Sequence, residues 1–222
     1  MAKKILTQNL SEPLCDASTA KVDVDVADGN LTIDPITGGE PVLANGTLEY
    51  VEGQELFNNS VNMGDGRATL VLKAKSTGRA WLRLPWDACN AATHWQIHLN
   101  PNVQTDISAH SGGGNLKLNL ASMVVTRVSA DTGGGNLDLV LPDQASNLAV
   151  TARTGAGNVV IHVPNGMAVK VQATTGLGKV IADSRFNKMD GNLYQSPDYE
   201  MAPEKAEITA HSGAGNITLK TK

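Results

Sequence analysis

Five histidines are the residues of this sequence best suited to metal binding or proton transfer. His94 and His98 stand four residues apart within an alternating segment that predicts a β-strand. Strand residues at that spacing lie on one face about 13 Å apart, so they cannot bind one metal ion. His110 and His211 share one position of a repeated motif with Asp131, Arg153 and Thr175. We interpret this column as a solvated edge, in which Asp131 and Arg153 are neighbours, rather than as a site.

Glycine-rich motifs are the second group with potential chemistry. They occupy residues 112–115, 133–136, 155–158, 176–179 and 213–216. A calcium-binding repeat needs an acidic residue in every copy, but the residues that correspond to Asp138 are Lys117, Val160, Ile181 and Thr218. Phosphate binding needs a Lys-Ser/Thr pair after the glycines, or a helix that follows a full Gly-x-Gly-x-x-Gly. Neither ligand is therefore expected at these motifs.

An asparagine follows the glycines in most copies. The members of this column are Asn30, Asn115, Asn136, Asn158 and Asn216. One interpretation is a ridge that binds sugars. The other, which we favour, is a ladder in which each amide hydrogen-bonds its neighbour at the turn.

No set of residues with catalytic spacing stands out. The sequence has no evident pair of carboxylates, Ser-His-Asp trio or Cys-His pair, although members of such sets can be remote in sequence. We therefore predict that the protein is not an enzyme and has no metal site and no cofactor.

Large aromatic side chains are the best candidates for contact with a partner. Two tryptophans lie in a segment that departs from the repeat, and three further aromatics lie in an insertion at about residues 184–204. The candidates are Trp81, Trp86, Phe186, Tyr194 and Tyr199. For the tryptophans, which lie near Trp95 in the sequence, the alternative is that they cover one side or end of the core.

The elements that position these residues follow from the repeat. The first glycine of successive motifs falls at residues 112, 133, 155, 176 and 213. Apolar residues alternate on both sides of the glycines, and an alanine always stands three residues before them: Ala109, Ala130, Ala152, Ala173 and Ala210. This pattern predicts two strands per unit, each with one buried face. Because one unit cannot bury its own apolar face, we predict an all-β, β-helix-like solenoid of stacked, mainly parallel strands, with 21–22-residue rungs and little helix. An antiparallel sandwich is the alternative.

The repeat begins before residue 105. Residues 22–33 contain the same motif, with Ala27 in place of the first glycine. We therefore divide the chain into residues 1–104, an N-terminal β region continuous with the stack, and residues 105–222, the repeat region. Strands are also expected at residues 47–51, 68–74, 80–84 and 94–99, and Asp65-Gly66 predicts a tight type I′ turn. Residues 1–20, with one edge strand, or the insertion at 184–204 should cap one end of the stack.

Composition limits the partners of the 222-residue chain. Its net charge is −4, and it has no basic cluster beyond Lys3-Lys4, so no nucleic-acid binding is expected. No run of about 18 apolar residues is present, so no membrane span is expected. The simplest location is cytoplasmic, and association with the envelope would require an anchor outside this sequence. Cys15 and Cys89 are interpreted as free thiols, with a disulfide between them as the alternative.

These motifs resemble those of a known bacterial family. Residues 22–33, 43–50 and 95–101 resemble the N-terminal domain of the toast-rack proteins, which precedes an adhesin-like β domain. The Gly-x-Gly-Asn series and residues 191–194 are similar to the C-terminal part of LiaF-like cell-wall-active antibiotic response proteins. The resemblance implies a stacked β fold without catalytic residues. LiaF-like relatives act in envelope-stress signalling and carry an N-terminal membrane segment, which this sequence lacks.

From the repeat and the resemblance we expect a non-enzymatic structural or interaction module of a bacterial protein, linked to the cell-envelope stress response. Its partner would be an unidentified protein or a second copy of the chain. The alternative is adhesin-like binding of a glycan or a cell-envelope polymer.

Overall fold

A computed structural model of the chain describes residues 4–52, 54–62, 65–76 and 93–222. These residues form two mixed β-sheets, and no helix occurs among them. In spatial order, sheet A consists of β1 (Ile5–Pro13), β4 (Val42–Val51), β7 (His94–Leu99), β3 (Asn30–Pro35), β9 (Leu116–Asn119), β11 (Leu137–Val140), β13 (Val159–Val163), β19 (Ile217–Thr221) and β15 (Val180–Ala182). Sheet B consists of β16 (Asn187–Lys188), β17 (Leu193–Gln195), β14 (Ala168–Leu177), β18 (Lys205–Ala214), β12 (Leu148–Ala156), β10 (Val125–Gly134), β8 (Gln104–Ser111), β2 (Thr19–Val26), β6 (Arg67–Ser76) and β5 (Gln54–Asn62). The prediction of an all-β fold is confirmed.

Equivalent residues of the repeat lie side by side in parallel strands. In sheet B, Ile107 pairs with Val128, and Val128 pairs with Val150. In sheet A, Leu116 pairs with Leu137. The position-by-position alignment made from the sequence is therefore the register of the sheets.

The alternating apolar residues point inward and form an aliphatic core between the sheets. The alanines that precede the glycines are at most 1% exposed: Ala109, Ala130, Ala152, Ala173 and Ala210. Trp95 is 1% exposed and belongs to the same core. Burial of each larger aliphatic side chain stabilises the fold by about 1.5–3 kcal/mol. The core is thus distributed evenly along the sheets.

The N-terminal copy of the repeat joins the same two sheets. Val22 pairs with Ile107, Val24 pairs with Ala109, and Leu31 pairs with Leu116. Residues 22–31 therefore take the same positions in the two sheets as the later copies of the repeat.

The order of the strands differs from the order of the chain at both ends of the sheets. Ile208 of β18 pairs with Val150 on one side and with Val171 on the other, so β18 lies between β12 and β14. In the same way, β19 lies between β13 and β15, and β2 lies between β6 and β8. The last two units therefore do not stack in chain order. Both the first and the last copy of the repeat lie inside the sheets.

Antiparallel strands extend the sheets at their edges. β1 pairs with β4 and is the outermost strand of sheet A at one end. The insertion at 184–204 supplies β17, which pairs with β14, and β16, the outermost strand of sheet B at the other end. Both segments predicted as caps therefore lie at sheet edges, where covering strands limit edge-to-edge association.

The hairpin between β5 and β6 has the predicted turn chemistry. Asp65 and Gly66 have φ values of 50° and 72°, and a type I′ turn requires positive φ at both central residues. The strands expected at 47–51, 68–74 and 94–99 fall within β4, β6 and β7. The strand expected at 80–84 lies outside the described residues.

Candidate functional site

Asparagine side chains tie the corners of neighbouring units together. Oδ1 of Asn30 accepts a hydrogen bond from the backbone N–H of Asn115 at 2.9 Å, and Oδ1 of Asn115 accepts one from Asn136 at 2.9 Å. The same bond joins Asn136 to Asn158 (3.0 Å), Asn158 to Asn216 (2.9 Å) and Asn216 to Lys179 (2.9 Å). The predicted ladder is confirmed, with main-chain N–H groups as the donors. Because each oxygen serves the fold, these side chains have mainly their Nδ2 groups left to offer a ligand.

A second ladder, which the sequence analysis missed, consists of hydroxyl groups. The residue before the first glycine of each motif donates to the carbonyl oxygen of a corner glycine in the neighbouring unit, at 2.8 Å in every case. The bonds are Ser111 to Gly29, Thr132 to Gly114, Thr154 to Gly135, Ser212 to Gly157, and Thr175 to Gly215. The signal in the sequence is a hydroxyl at this position in all five copies after residue 105, although the N-terminal copy has Val26 there.

Two glycines at each corner are required for different reasons. Gly135 has a φ of +156°, and a Cβ atom there would also collide with the carbonyl oxygen of Gly114. A Cβ atom at Gly133 would collide with the carbonyl oxygen of Gly112. Gly134, between them, has open space around it. The corners are therefore places where backbones pack closely, and the last glycine of each corner also has a positive φ.

The outward side chains of sheet B lie in rows that cross the strands. His110 Nδ1 lies 3.6 Å from Asp131 Oδ1, and both side chains are about half exposed. Asp131 is beside Arg153 in register, as predicted, but its ion pair is with His110. An exposed pair of this kind contributes at most about 1 kcal/mol. The residue of β14 in this row is Thr174, which pairs with His211; the assignment of Thr175 to this row is wrong, because Thr175 pairs with Ser212.

The next row on the same surface is rich in hydroxyl groups between Asp23 of β2 and Gln172 of β14. Its hydroxyl-bearing members are Ser108, Ser129, Thr151 and Thr209, which are in register on β8, β10, β12 and β18. Each of these side chains is half-buried or exposed. We call the outward surface of these four strands, together with β2, β6 and β14, the outer face of sheet B.

The other histidines lie on the outward side of sheet A. His94 and His98 are both on β7, and His94 Nε2 lies 3.4 Å from Thr32 Oγ1. His162 Nε2 lies 3.1 Å from Asp138 Oδ1. In the described part of the chain, no three His, Cys, Asp or Glu side chains are placed to hold a metal ion.

The sequence matches the family described as "N-terminal domain of toast_rack, DUF2154" over residues 2–162. The chain belongs to the toast-rack family. A crystal structure of a putative cell adhesion protein from Clostridium sporogenes is 23% identical to this toast-rack chain. That match covers 99% of this chain and 100% of the other, with a TM-score of 0.85, so the two proteins share a fold.

A putative adhesin from Bacteroides fragilis is 12% identical over 97% of each chain, with a TM-score of 0.33, which is too low to support an argument. Among curated proteins, none matches the toast-rack chain. Across the described residues, no helix is long and apolar enough to cross a membrane.

The aromatic residues of the insertion, which were predicted to contact a partner, are packed inward in this toast-rack chain. Phe186, Tyr194 and Tyr199 are only 6–7% exposed. The large apolar side chains that the insertion exposes are Met189 and Met201, at 54% and 92%. The predicted contact of the three rings with a partner stays a prediction.

Tyr199 is held by charged neighbours. Its hydroxyl donates to Glu207 Oε1 at 3.0 Å, and the Nζ atoms of Lys205 and Lys170 lie 5.1 and 6.0 Å from the ring centre. Burial, followed by the hydrogen bond to Glu207 and the negative charges of Glu207 and Glu200, raises the pKa of Tyr199 from 10.0 to about 12. The phenol therefore stays neutral well into the alkaline range.

Arg185 anchors the insertion to the turn that precedes β14. Its Nη1 donates to the carbonyl oxygen of Pro164 at 2.7 Å, and its Nη2 donates to that of Met167 at 2.6 Å. The guanidinium also lies 5.9 Å from the ring centre of Phe186. This fork of donors explains how an irregular segment keeps a defined position.

Of the three tryptophans, only Trp95 lies in the described part of the chain. Trp81 and Trp86 lie outside the described residues, as does Cys89, so their predicted roles stay predictions. Trp95 is buried in the core, and its Nε1 donates to the carbonyl oxygen of Glu49 at 2.7 Å. Cys15 is exposed, has a φ of 48° and forms no disulfide with any described residue.

Proposed function

We propose that this toast-rack chain is a non-enzymatic interaction module, a β-helix-like stack of 21–22-residue units that binds its partner on the outer face of sheet B. One observation carries this proposal. Equivalent outward residues of neighbouring strands, such as Ser108, Ser129 and Thr151, lie in register on that face. Parallel pairing spaces such groups about 4.8 Å apart. A row of like groups at constant spacing suits a partner that is itself flat or repetitive.

The other surfaces of the chain are less suited to this role. The corner asparagines and hydroxyls are engaged in hydrogen bonds between units, as in the pairs Asn115–Asn136 and Thr132–Gly114. The insertion uses its aromatic rings for packing. By contrast, the hydroxyls of Ser129 and Thr151 project from the sheet and are free to bind a ligand.

Adhesin-like binding of a glycan or a cell-envelope polymer is the form of this function that the chemistry of the face favours. Protein–protein interfaces are enriched in aromatic residues and depleted in charge at their centres. The rows of this face instead hold hydroxyls and charged groups, such as Thr151, Arg153 and Asp131, which match a hydroxyl-rich ligand. The solved relative of similar fold is named for cell adhesion, which motivates the same test.

Retention of envelope material by the immobilised chain tests the proposal. Wall-polymer and membrane-protein fractions would be passed separately over the wild-type chain and over the double variant Ser129→Glu/Thr151→Glu. We expect the wild type to retain material from the polymer fraction. We expect the double variant to retain at least about tenfold less, because two bulky carboxylates at the centre of the interface remove the hydroxyl contacts without adding positive charge that would attract a polymer. A tenfold loss corresponds to about 1.4 kcal/mol of binding free energy.

The matched control is Thr218→Glu, at a half-buried outward position of β19 in sheet A. Its retention should equal that of the wild type. Loss of retention in the control but not in the double variant would move the interface to sheet A. No retention from either fraction would refute the proposal.

A link to the cell-envelope stress response remains part of the proposal and has its own test. Deletion of the gene should change the activity of an envelope-stress reporter when the wall is damaged. An unchanged reporter would remove the signalling role and leave the binding role to be judged separately.

A further inference from the structure

A depression of about 240 Å³ lies on the outer face of sheet B, over the first residues of β6, β2, β8 and β10. Charged and polar side chains line it, among them Lys21, Arg67, Gln104 and Asp106, and none of the lining residues in the described part of the chain is aromatic. Pockets for drug-sized ligands have volumes of about 300–1,000 Å³. This depression therefore suits a smaller group, of the size of one sugar ring, and we call it the sheet B cleft.

A β-bulge shapes one wall of the cleft. Val125 pairs with Thr105 and Arg127 pairs with Asp106, so Thr126 is an extra residue between two paired positions. Bulges change the direction of a side chain and are over-represented next to functional sites. Here the bulge directs the Thr126 hydroxyl to Oδ1 of Asp106, to which it donates a hydrogen bond.

Two cations of the cleft have no carboxylate partner. Lys21 lies beside Asp106 in register, but within the described ranges neither Lys21 nor Arg67 forms an ion pair within 4.0 Å. On the same face, Lys73 does pair with Asp23, at 3.2 Å. The cleft thus holds two available cations and one carboxylate that is already hydrogen-bonded, in a protein whose net charge is −4.

We propose that the sheet B cleft binds a sugar that carries one anionic group, either a carboxylate or a phosphate. Arg67 and Lys21 bind the anionic group, because charge-assisted hydrogen bonds are the strongest that such a site offers. Asp106 accepts a hydrogen bond from a sugar hydroxyl, and the side chains of Thr19 and Gln104 bind others. This inference deepens the proposed binding of an envelope polymer and rests on it, since it names the chemistry of one recognised unit.

The pattern of charges favours an anionic sugar over simpler ligands. A neutral sugar would leave Lys21 and Arg67 without partners. A bare anion would leave Asp106, Thr19 and Gln104 without a ligand group. Since the cleft is open to solvent, the charge contribution is screened by salt, and binding should weaken as ionic strength rises.

Titration of the full chain by two-dimensional amide NMR tests the inference. The probes are glucuronate, glucose 6-phosphate, glucose and inorganic phosphate, each at low and at high salt. We expect saturable shifts at residues 19–21, 67–69 and 104–106 with both anionic sugars at low salt. Their affinity should exceed that of glucose and of inorganic phosphate by at least about tenfold, since each charge-assisted bond contributes more than a neutral one.

The double variant Lys21→Gln/Arg67→Gln should bind both anionic sugars at least about tenfold more weakly. Lys117→Gln removes an exposed cation from β9 in sheet A, outside the cleft and the outer face of sheet B, and should leave the affinity unchanged. Dispersed amide spectra establish that the variants are folded. The inference is overturned by an absence of saturable shifts, by equal binding of glucose or of inorganic phosphate, or by an unaffected double variant.

The outcomes also separate this inference from the proposed function. Full retention of envelope polymer by Lys21→Gln/Arg67→Gln would refute recognition of an anionic sugar by the cleft and leave the proposed binding of the polymer intact. Saturable binding of an anionic sugar by a chain that retains no polymer would support the cleft as a binding site and refute the proposed binding of the polymer.

Discussion

Gly135→Ala is the substitution whose effect the structure defines most sharply. The residue has a φ of +156°, a conformation that costs a residue with a side chain about 1–3 kcal/mol. The new Cβ atom would also collide with the carbonyl oxygen of Gly114, so the backbones of two units must separate. Forced overpacking of this kind costs about another 1–3 kcal/mol. We therefore expect the free energy of unfolding to fall by about 2–6 kcal/mol, which lowers Tm by about 4–24 °C for a chain of this length.

The neighbouring substitution Gly134→Ala is the matched control. The Cβ atom at Gly134 would have nothing within 4 Å, so the free energy of unfolding should change by less than about 0.5 kcal/mol. Urea unfolding followed by far-ultraviolet circular dichroism measures both variants. Equal stability of the two would refute the conclusion that the last glycine of the corner is required by its conformation and by close packing.

Substitutions at three other residues test the asparagine ladder and the insertion. Asn136→Ala should lower the free energy of unfolding in urea by about 1 kcal/mol, because the N–H of Asn158 loses its acceptor, and Asn136→Asp should restore most of it. Tyr199 holds its proton up to a pKa of about 12 in the folded state, against 10.0 ordinarily. Its contribution to the free energy of unfolding is therefore complete below pH 10 and is lost as the pH rises through about 12. Tyr199→Phe should remove this pH dependence of the free energy of unfolding. It should also remove the tyrosine ionisation seen at the highest pH in the absorbance at 295 nm. Arg185→Lys should speed amide hydrogen exchange across residues 184–204, because one ammonium group cannot replace a fork of donors to two carbonyls, and unchanged exchange would contradict the anchoring role.

The register of the sheets could be predicted because one face of each strand is buried. A slip of one residue would turn every inward side chain to solvent. The apolar alternation around Ile107 and Val128, with Ala109 and Ala130 two positions later, therefore allows only one alignment of those units. That is why the alignment of repeats in the sequence coincides with the pairing of strands.

The sheet B cleft and the packing of the insertion could not be predicted in this way. The bulge at Thr126 lies where the strand begins, before the apolar positions that define the alignment. In the insertion, Phe186 and Tyr199 belong to no period of two or of 3.6, so nothing in the sequence indicates which way they face. Their burial depends on tertiary contacts, such as those of Arg185 and Glu207, that join residues from separate strands and turns.

One residue of the sequence indicates that the last two units stack in the reverse of their order in the chain. Each asparagine of the ladder accepts a hydrogen bond from the unit that stacks on it, so the outermost unit needs no asparagine. The unit at 168–182 has Lys179 at that position, and its N–H donates to Oδ1 of Asn216. Ile181 of the same unit is 51% exposed, as expected for the edge strand of sheet A. A change in the asparagine column therefore marks the end of the stack, and it places the unit that contains Asn216 one position further inside.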